Sequence, residues 1–185
     1  MSASRNPRRG LLVIDMQHGL FNGEHRPYRA DSVLANINAR IDRAPAADAP
    51  VFAARHVGPA GSPLASDSPL SQLLADLAID PARDTVFEKT RPSCFFETGL
   101  VERLPAAGVQ ELAILGMKTA HRAATTCRAA RAPGSAALLV PHAHHTTAPP
   151  GLVAPTSGED HNAPPRAAPV SLAARAPCPP PPGAA

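Results

Sequence analysis

The run LLVID (residues 11–15) decides the fold, because it is a short apolar stretch that ends in a carboxylate. Four similar runs follow it: PVFAARH (50–56), TVFEK (85–89), ELAILGM (111–117) and AALLVPHA (136–143). Each is rich in Val, Ile, Leu or Phe and is bounded by turn residues, a pattern typical of buried parallel strands. The sequence therefore predicts five strands, with Asp15 ending the first and Lys89 ending the third.

Helical patterns lie between these runs, since apolar side chains there repeat every three or four residues. The predicted helices, with their N-caps in brackets, are 31–44 (Asp31), 68–78, 98–108 (Thr98) and 119–130 (Thr119). Strands that alternate with helices favour a doubly wound parallel sheet, and right-handed crossovers would place helices on both of its faces.

The composition limits the function classes. The 185 residues suit about one domain, and the net charge of +3 comes from scattered arginines rather than from a basic face, so no nucleic-acid partner is expected. Three cysteines without a disulfide or zinc spacing favour a reducing compartment, and we expect a cytoplasmic protein. No run approaches the roughly 20 apolar residues of a membrane span, so no membrane association is expected.

Proline divides the chain into two parts. Thirteen of the 23 prolines fall between Pro133 and Pro182, and the end of the chain shows no hydrophobic periodicity. The sequence therefore predicts a folded domain over residues 1–162 and a Pro/Ala-rich tail without regular structure over residues 163–185.

The candidate site lies where the strands end, because ligands of open parallel sheets bind beyond the carboxyl ends of the strands. A carboxylate there is costly to bury without a partner, and Lys89 is the natural partner of Asp15. Such a pair beside a helix N-terminus can activate a nucleophile and hold an anion, while the alternative is a structural ion pair. His56 ends the second strand near the same place and is a candidate substrate-binding residue.

Five segments, in order, resemble the isochorismatase-like cysteine hydrolases over residues 10 to about 162. They are LLVIDMQHGLF, HVGPAGSPL, FEKTRPSCFFETGL, ELAILGM followed by TTCRAA, and AHHTT near PPGL. The resemblance implies the same doubly wound sheet, hydrolysis of amide-type (C–N) bonds in small molecules, and a homo-oligomer. One branch of the family cleaves a vinyl ether. The family's further helix, strand and terminal helix have no counterpart after residue 162, so the fold is expected to be incomplete at its C-terminus.

The resemblance also assigns roles to residues. In the family's amide hydrolases an Asp takes the proton of a cysteine thiol and a Lys supports the negative charge, and these positions match Asp15 and Lys89. The cysteine position is Arg122, whose guanidinium stays protonated and cannot act as a nucleophile. His121 and Arg122 are expected to contact the ligand. The Asp-x-His pair of metal-dependent relatives is missing after the second strand, so neither a metal nor another cofactor is expected.

Three hypotheses remain open at this point. In the first, the chain is a hydrolase of this family that is active by some route, for example as a cysteine-free vinyl-ether hydrolase using Asp15. In the second, it is a non-catalytic relative in which Lys89 and Arg122 bind a small anion, or in which Arg122 neutralises Asp15 and closes the pocket. In the third, it is a poorly folded remnant. Cys94 and Cys127 are interpreted as small buried hydrophobes rather than substitute nucleophiles.

Overall fold

The computed structural model describes residues 7–23 and 29–117, together with the backbone of two strands beyond them. The strands are β1 Arg9–Ile14, β2 Val51–His56, β3 Thr85–Lys89, β4 Glu111–Gly116, β5 Ala136–His144 and β6 Ala176–Pro177. The helices are α1 His18–Phe21, α2 Ala30–Ile41 and α3 Leu100–Ala106.

The six strands form one sheet in the order β3-β2-β1-β4-β5-β6. β1 pairs in parallel with β2 and β4, β3 is parallel to β2, and β5 is parallel to β4. The chain therefore winds outward from β1 in one direction and then in the other, which creates a switch point between β1 and β4. This confirms the predicted doubly wound parallel sheet. The two-residue β6 runs antiparallel to β5.

β1 separates two hydrophobic cores, because successive side chains of a strand point to opposite faces. Leu11 and Val13 belong to the core that includes α2, whereas Leu12 and Ile14 belong to the core that includes α3. All four side chains are at most 1% exposed. The central strand is thus apolar on both faces, as its near-continuous apolar run indicates.

α2 follows the predicted apolar pattern but not the predicted cap. Val33, Ile37 and Ile41 are buried along one face. The N-cap residue is Arg29, in a left-handed conformation with φ 52°, so the prediction of Asp31 as the cap is wrong. Asp31 lies in the first turn, where a carboxylate still interacts favourably with the helix dipole.

The predicted helix over 68–78 is wrong. The structure has one turn of 3₁₀ helix there, Pro69–Ser71, and then an extended segment. Leu73 forms a β-bridge with Gln17, and the Leu74 N–H donates to the Met16 carbonyl. Leu74, which follows the bridged residue, and Leu77, which lies in the turn after it, are both buried in the α2-side core. The leucine spacing therefore reflects burial, and backbone pairing with the end of β1 replaces the helical hydrogen bonds.

α3 begins two residues after the predicted cap. Its N-cap is Gly99, with φ 69°, so the prediction of Thr98 as the cap is wrong. The Thr98 hydroxyl nevertheless accepts a hydrogen bond from the Leu100 N–H at 3.3 Å. Gly108 follows the helix with φ 68°, in agreement with its expected place near the helix end. The predicted helix over 119–130 and the domain boundary at 162 lie outside the described residues.

Gly116 ends β4 opposite Ile14 and has φ +119°. A Cβ atom there would lie 2.1 Å from the Ile14 carbonyl oxygen and 2.8 Å from the Ile14 nitrogen. Both atoms belong to the backbone of the central strand, directly before Asp15. A side chain at position 116 would therefore force β1 and β4 apart beside the candidate site.

Gly116→Ala is expected to lower the free energy of unfolding by more than about 3 kcal/mol, since backbone strain and a backbone clash act together. Gly61→Ala is the matched control, because Gly61 also has a positive φ (77°) but open space around it. That control should cost only about 1–2 kcal/mol. Urea unfolding of both variants measures the difference, and equal losses would contradict the clash at Gly116.

Candidate active site at the carboxyl edge of the sheet

Asp15 follows β1 directly and is completely buried. Its backbone adopts φ 60°, a left-handed conformation that Asp tolerates better than most residues. The Asp15 N–H donates to the Ala54 carbonyl of β2 at 2.9 Å, and the Asp15 carbonyl accepts from the Gln17 N–H at 2.9 Å. Backbone bonds on both sides therefore fix the direction in which the carboxylate leaves the strand.

Lys89 is the last residue of β3, and its side chain is also completely buried. Its Nζ lies 3.1 Å from Oδ1 and 3.5 Å from Oδ2 of Asp15. Nζ also donates to the Arg91 carbonyl at 3.3 Å. The ammonium reaches across the end of β2, which lies between β1 and β3. The structure thus contains the ion pair between Asp15 and Lys89 that the sequence predicts.

His56 lies opposite Lys89 in the register between β2 and β3 and is half-buried. The neighbouring Val57 N–H donates to the Lys89 carbonyl at 2.9 Å. The structure therefore places three of the predicted site residues, Asp15, His56 and Lys89, at one edge of the sheet. His121 and Arg122 lie outside the described residues.

Gln17 is a functional candidate that the sequence reasoning missed. Its side chain is buried, and the amide Nε2 donates to the His56 carbonyl at 2.8 Å and to the Ser71 carbonyl at 2.6 Å. Its Oε1 accepts from the His56 N–H at 2.7 Å. One amide therefore joins the end of β2 to the segment at Ser71. The available signal was an amide two residues after Asp15, directly after the apolar Met16.

Cys94 lies in the loop between β3 and α3 and is completely buried in the α3-side core. Its carbonyl accepts a hydrogen bond from the Thr98 hydroxyl at 2.5 Å. This environment fits the interpretation of Cys94 as a small hydrophobe. Cys127 lies outside the described residues.

Within residues 7–23 and 29–117, no group of three or more His, Cys, Asp or Glu side chains is arranged to hold a metal ion. Over the same ranges, no helix is long and apolar enough to cross a membrane.

The switch-point sheet and the buried carboxylate–ammonium pair define a doubly wound α/β protein with a charged site at the edge where such sheets bind ligands. The isochorismatase domain model matches residues 9–156, which is most of the chain. The chain therefore belongs to the isochorismatase family.

Individual relatives agree with this assignment. The chain is 34% identical over 147 residues to a streptothricin hydrolase of Streptomyces noursei, which corresponds to 79% of this chain and 57% of that protein. The chain thus spans less than two thirds of the length of this relative. A crystal structure of an isochorismatase family protein superposes with a TM-score of 0.74 at 31% identity, over 83% of this chain and 90% of that one.

N-carbamoylsarcosine amidase of Thermoplasma acidophilum has the same fold. It superposes with a TM-score of 0.69 over 77% of this chain and 87% of the amidase, at 19% sequence identity. The similarity of backbone therefore extends to a protein whose sequence has diverged widely from this one.

Burial of the ion pair between Asp15 and Lys89 predicts how the free energy of unfolding changes when one partner is removed. Lys89→Met leaves the Asp15 carboxylate buried without its cation, which should lower the free energy of unfolding by about 3–5 kcal/mol at neutral pH. The double variant Asp15→Asn/Lys89→Met removes both charges and should recover much of that loss. Urea unfolding of the wild type, both single variants and the double variant gives the coupling energy. Additive losses from the two single variants would contradict a direct interaction.

Proposed function

We propose that this isochorismatase-family chain binds a small amide-type molecule at the carboxyl edge of the sheet, in contact with Asp15 and Lys89. We further propose that it lacks cysteine-dependent hydrolysis, because Arg122 occupies the position of the nucleophile. The observation that carries the proposal is the completely buried ion pair between Asp15 and Lys89 at the ends of β1 and β3.

The position and cost of this pair support a binding role. Two ionised groups are expensive to remove from water, and a hydrophobic pair of similar volume would stabilise the fold at least as well. The pair lies beside the switch point between β1 and β4, where open parallel sheets bind their ligands. A costly polar arrangement at the place of ligand binding is typical of a functional site rather than of a stabilising contact.

Lys89 has the donors that an amide ligand needs. An ammonium group carries three N–H donors, and the Asp15 carboxylate and the Arg91 carbonyl account for two of them. In the proposal the third N–H binds the carbonyl oxygen of the ligand. The Asp15 carboxylate then lies on the same side of the ligand and can accept a proton.

Cysteine-dependent hydrolysis needs one further group. A thiol gives its proton to the carboxylate, the sulfur attacks the amide carbon, and the amine leaves with a proton before water cleaves the thioester. The guanidinium of Arg122 stays protonated at neutral pH, so it offers no nucleophilic atom. In the proposal the chain therefore has the carboxylate and the ammonium that assist the reaction, but it lacks the nucleophile.

The relatives guide the choice of ligand class. The names of two relatives, a streptothricin hydrolase and an N-carbamoylsarcosine amidase, together with the amide-type bonds that the family resemblance implies, favour small molecules with amide or ureido groups. The proposal includes a small molecule as the partner and a cytoplasmic location, which the odd number of cysteines favours. Cell fractionation of the natural producer tests the location.

Hydrolysis of nicotinamide, N-carbamoylsarcosine and streptothricin by the wild type and by Arg122→Cys tests the function. We expect no turnover by the wild type and measurable turnover of at least one compound by Arg122→Cys, because the variant restores a thiol beside Asp15 and Lys89. Release of the amine or of ammonia is the readout.

Arg122→Ala is the matched control, since it removes the guanidinium without adding a nucleophile, and it should be inactive. Turnover by the wild type that persists in Arg122→Ala would contradict the proposal. That result would favour a cysteine-free route through Asp15.

A further inference from the structure

Asn22 and Gly23 follow the one-turn helix α1, and both residues are exposed. Asn22 is the C-cap of α1, with φ −102° and ψ 7°, and its N–H donates to the His18 carbonyl at 3.0 Å. Over residues 7–23 and 29–117, no hydrogen bond holds the Asn22 side-chain amide or the Gly23 N–H. The amide carbon Cγ of Asn22 and the backbone nitrogen of Gly23 are therefore both open to reaction.

Gly23 has no side chain to shield its backbone nitrogen. A Cβ atom at this position would lie 2.7 Å from the Gly19 carbonyl oxygen, so the backbone at the end of α1 requires a glycine here. Glycine also allows the closest approach of other atoms to the main chain. The packing at the end of α1 thus leaves the nitrogen after Asn22 sterically accessible.

The two asparagines of α2 lie in a different environment. Asn38 donates from Nδ2 to the Asp76 carbonyl at 2.7 Å and accepts at Oδ1 from the Ala78 N–H at 2.9 Å. The residues after Asn36 and Asn38 carry side chains, and their backbone nitrogens lie within the helix. The helix therefore separates each of these amides from the nitrogen that follows it.

We propose that Asn22 and Gly23 form a self-modification site, at which the chain converts Asn22 into aspartate and isoaspartate. The Gly23 nitrogen bonds to Cγ of Asn22, the Cγ–Nδ2 bond breaks, and Nδ2 leaves as ammonia with the proton of the Gly23 N–H. Water then opens the cyclic succinimide at either carbonyl carbon, which gives aspartate or isoaspartate. Water is the only co-reactant, and asparagine is one of the thermolabile residue types.

The modification site is close to the candidate active site along the chain. α1 begins directly after Gln17, and the Phe21 N–H donates to the Gln17 carbonyl at 2.9 Å. Either product adds a negative charge at the carboxyl end of α1, where the helix carbonyls disfavour it. Isoaspartate also adds one methylene to the main chain before Gly23. Modification is therefore expected to loosen α1, which connects Gln17 to the buried Phe21.

Peptide mapping of the intact chain tests the proposal. The protein is incubated in mildly alkaline buffer and cleaved with trypsin, and Asn22 is the only asparagine of the fragment from Gly10 to Arg29. We expect this fragment to gain the mass of an amide-to-acid conversion and to contain isoaspartate, which direct hydrolysis of the side-chain amide does not form. Conversion should be faster at higher pH, because the attacking nitrogen must lose its proton.

The same measurement in urea separates the effect of the structure from that of the sequence. Because no hydrogen bond in the described part of the chain protects the site, Asn22 should convert in the folded protein within about 3-fold of its rate in the unfolded chain. Asn38, whose amide is bonded at both ends, should convert only after unfolding. If unfolding raises the rate at Asn22 by more than about 10-fold, the fold protects this residue and the proposal is overturned.

Two variants and the aged protein complete the test. Asn22→Gln should abolish the conversion, because one more methylene makes the ring closure much slower, whereas Asn36→Gln changes an exposed asparagine of α2 and should leave the rate at Asn22 unchanged. The isoaspartate form, isolated by ion exchange, should exchange the Phe21 and Asn22 amide hydrogens faster than the unmodified protein. Absence of isoaspartate after incubation would overturn the self-modification, and equal exchange rates would overturn its effect on α1.

Discussion

The structure depends on one constraint: two opposite charges, Asp15 and Lys89, are buried at the ends of two strands that are not neighbours in the sheet. Their side chains meet only if β1, β2 and β3 end at the same level. Backbone bonds from Asp15 to Ala54 and from Val57 to Lys89 set that level. Gln17 holds the end of β2 through His56, and the absence of a side chain at Gly116 lets β4 approach β1. The polar site thus determines where the apolar strands stop.

The strands and the ion pair could be predicted from the sequence for physical reasons. Runs such as LLVI (residues 11–14) are apolar at every position, so they suit a strand that is covered on both faces, and parallel strands then bring their carboxyl ends together. A carboxylate at such an end requires a partner, and Lys89 was the available cation. Helix propensity and leucine spacing are weaker guides to the backbone conformation of a segment than these apolar runs are. Residues 68–78 show helical spacing, yet their backbone pairs with Met16 and Gln17, a long-range contact that no local pattern contains.

The remaining differences between the predictions and the structure have two causes. Some arise from the backbone conformation of a single residue, and others from side chains whose hydrogen-bond partners are far away in the sequence. Arg29 and Gly99 cap their helices in left-handed conformations, so the caps at Asp31 and Thr98 that composition favours were wrong. Gln17 was missed because the partners of a buried amide, here His56 and Ser71, are 39 and 54 residues away in the sequence. The roles of His121 and Arg122 stay predictions, which measurements of activity and reactivity on variants must test.

The most direct test measures the reactivity of a cysteine placed at position 122. In Arg122→Cys, the alkylation rate with iodoacetamide at neutral pH should exceed that of an ordinary thiol, because Asp15 can take the proton and the nearby Lys89 favours the thiolate. In the triple variant that also carries Asp15→Asn and Lys89→Met, the rate should fall to that of an ordinary thiol. A rate that is the same in both backgrounds would contradict the proposal that position 122 lies beside the buried ion pair, where Asp15 and Lys89 would activate a thiol.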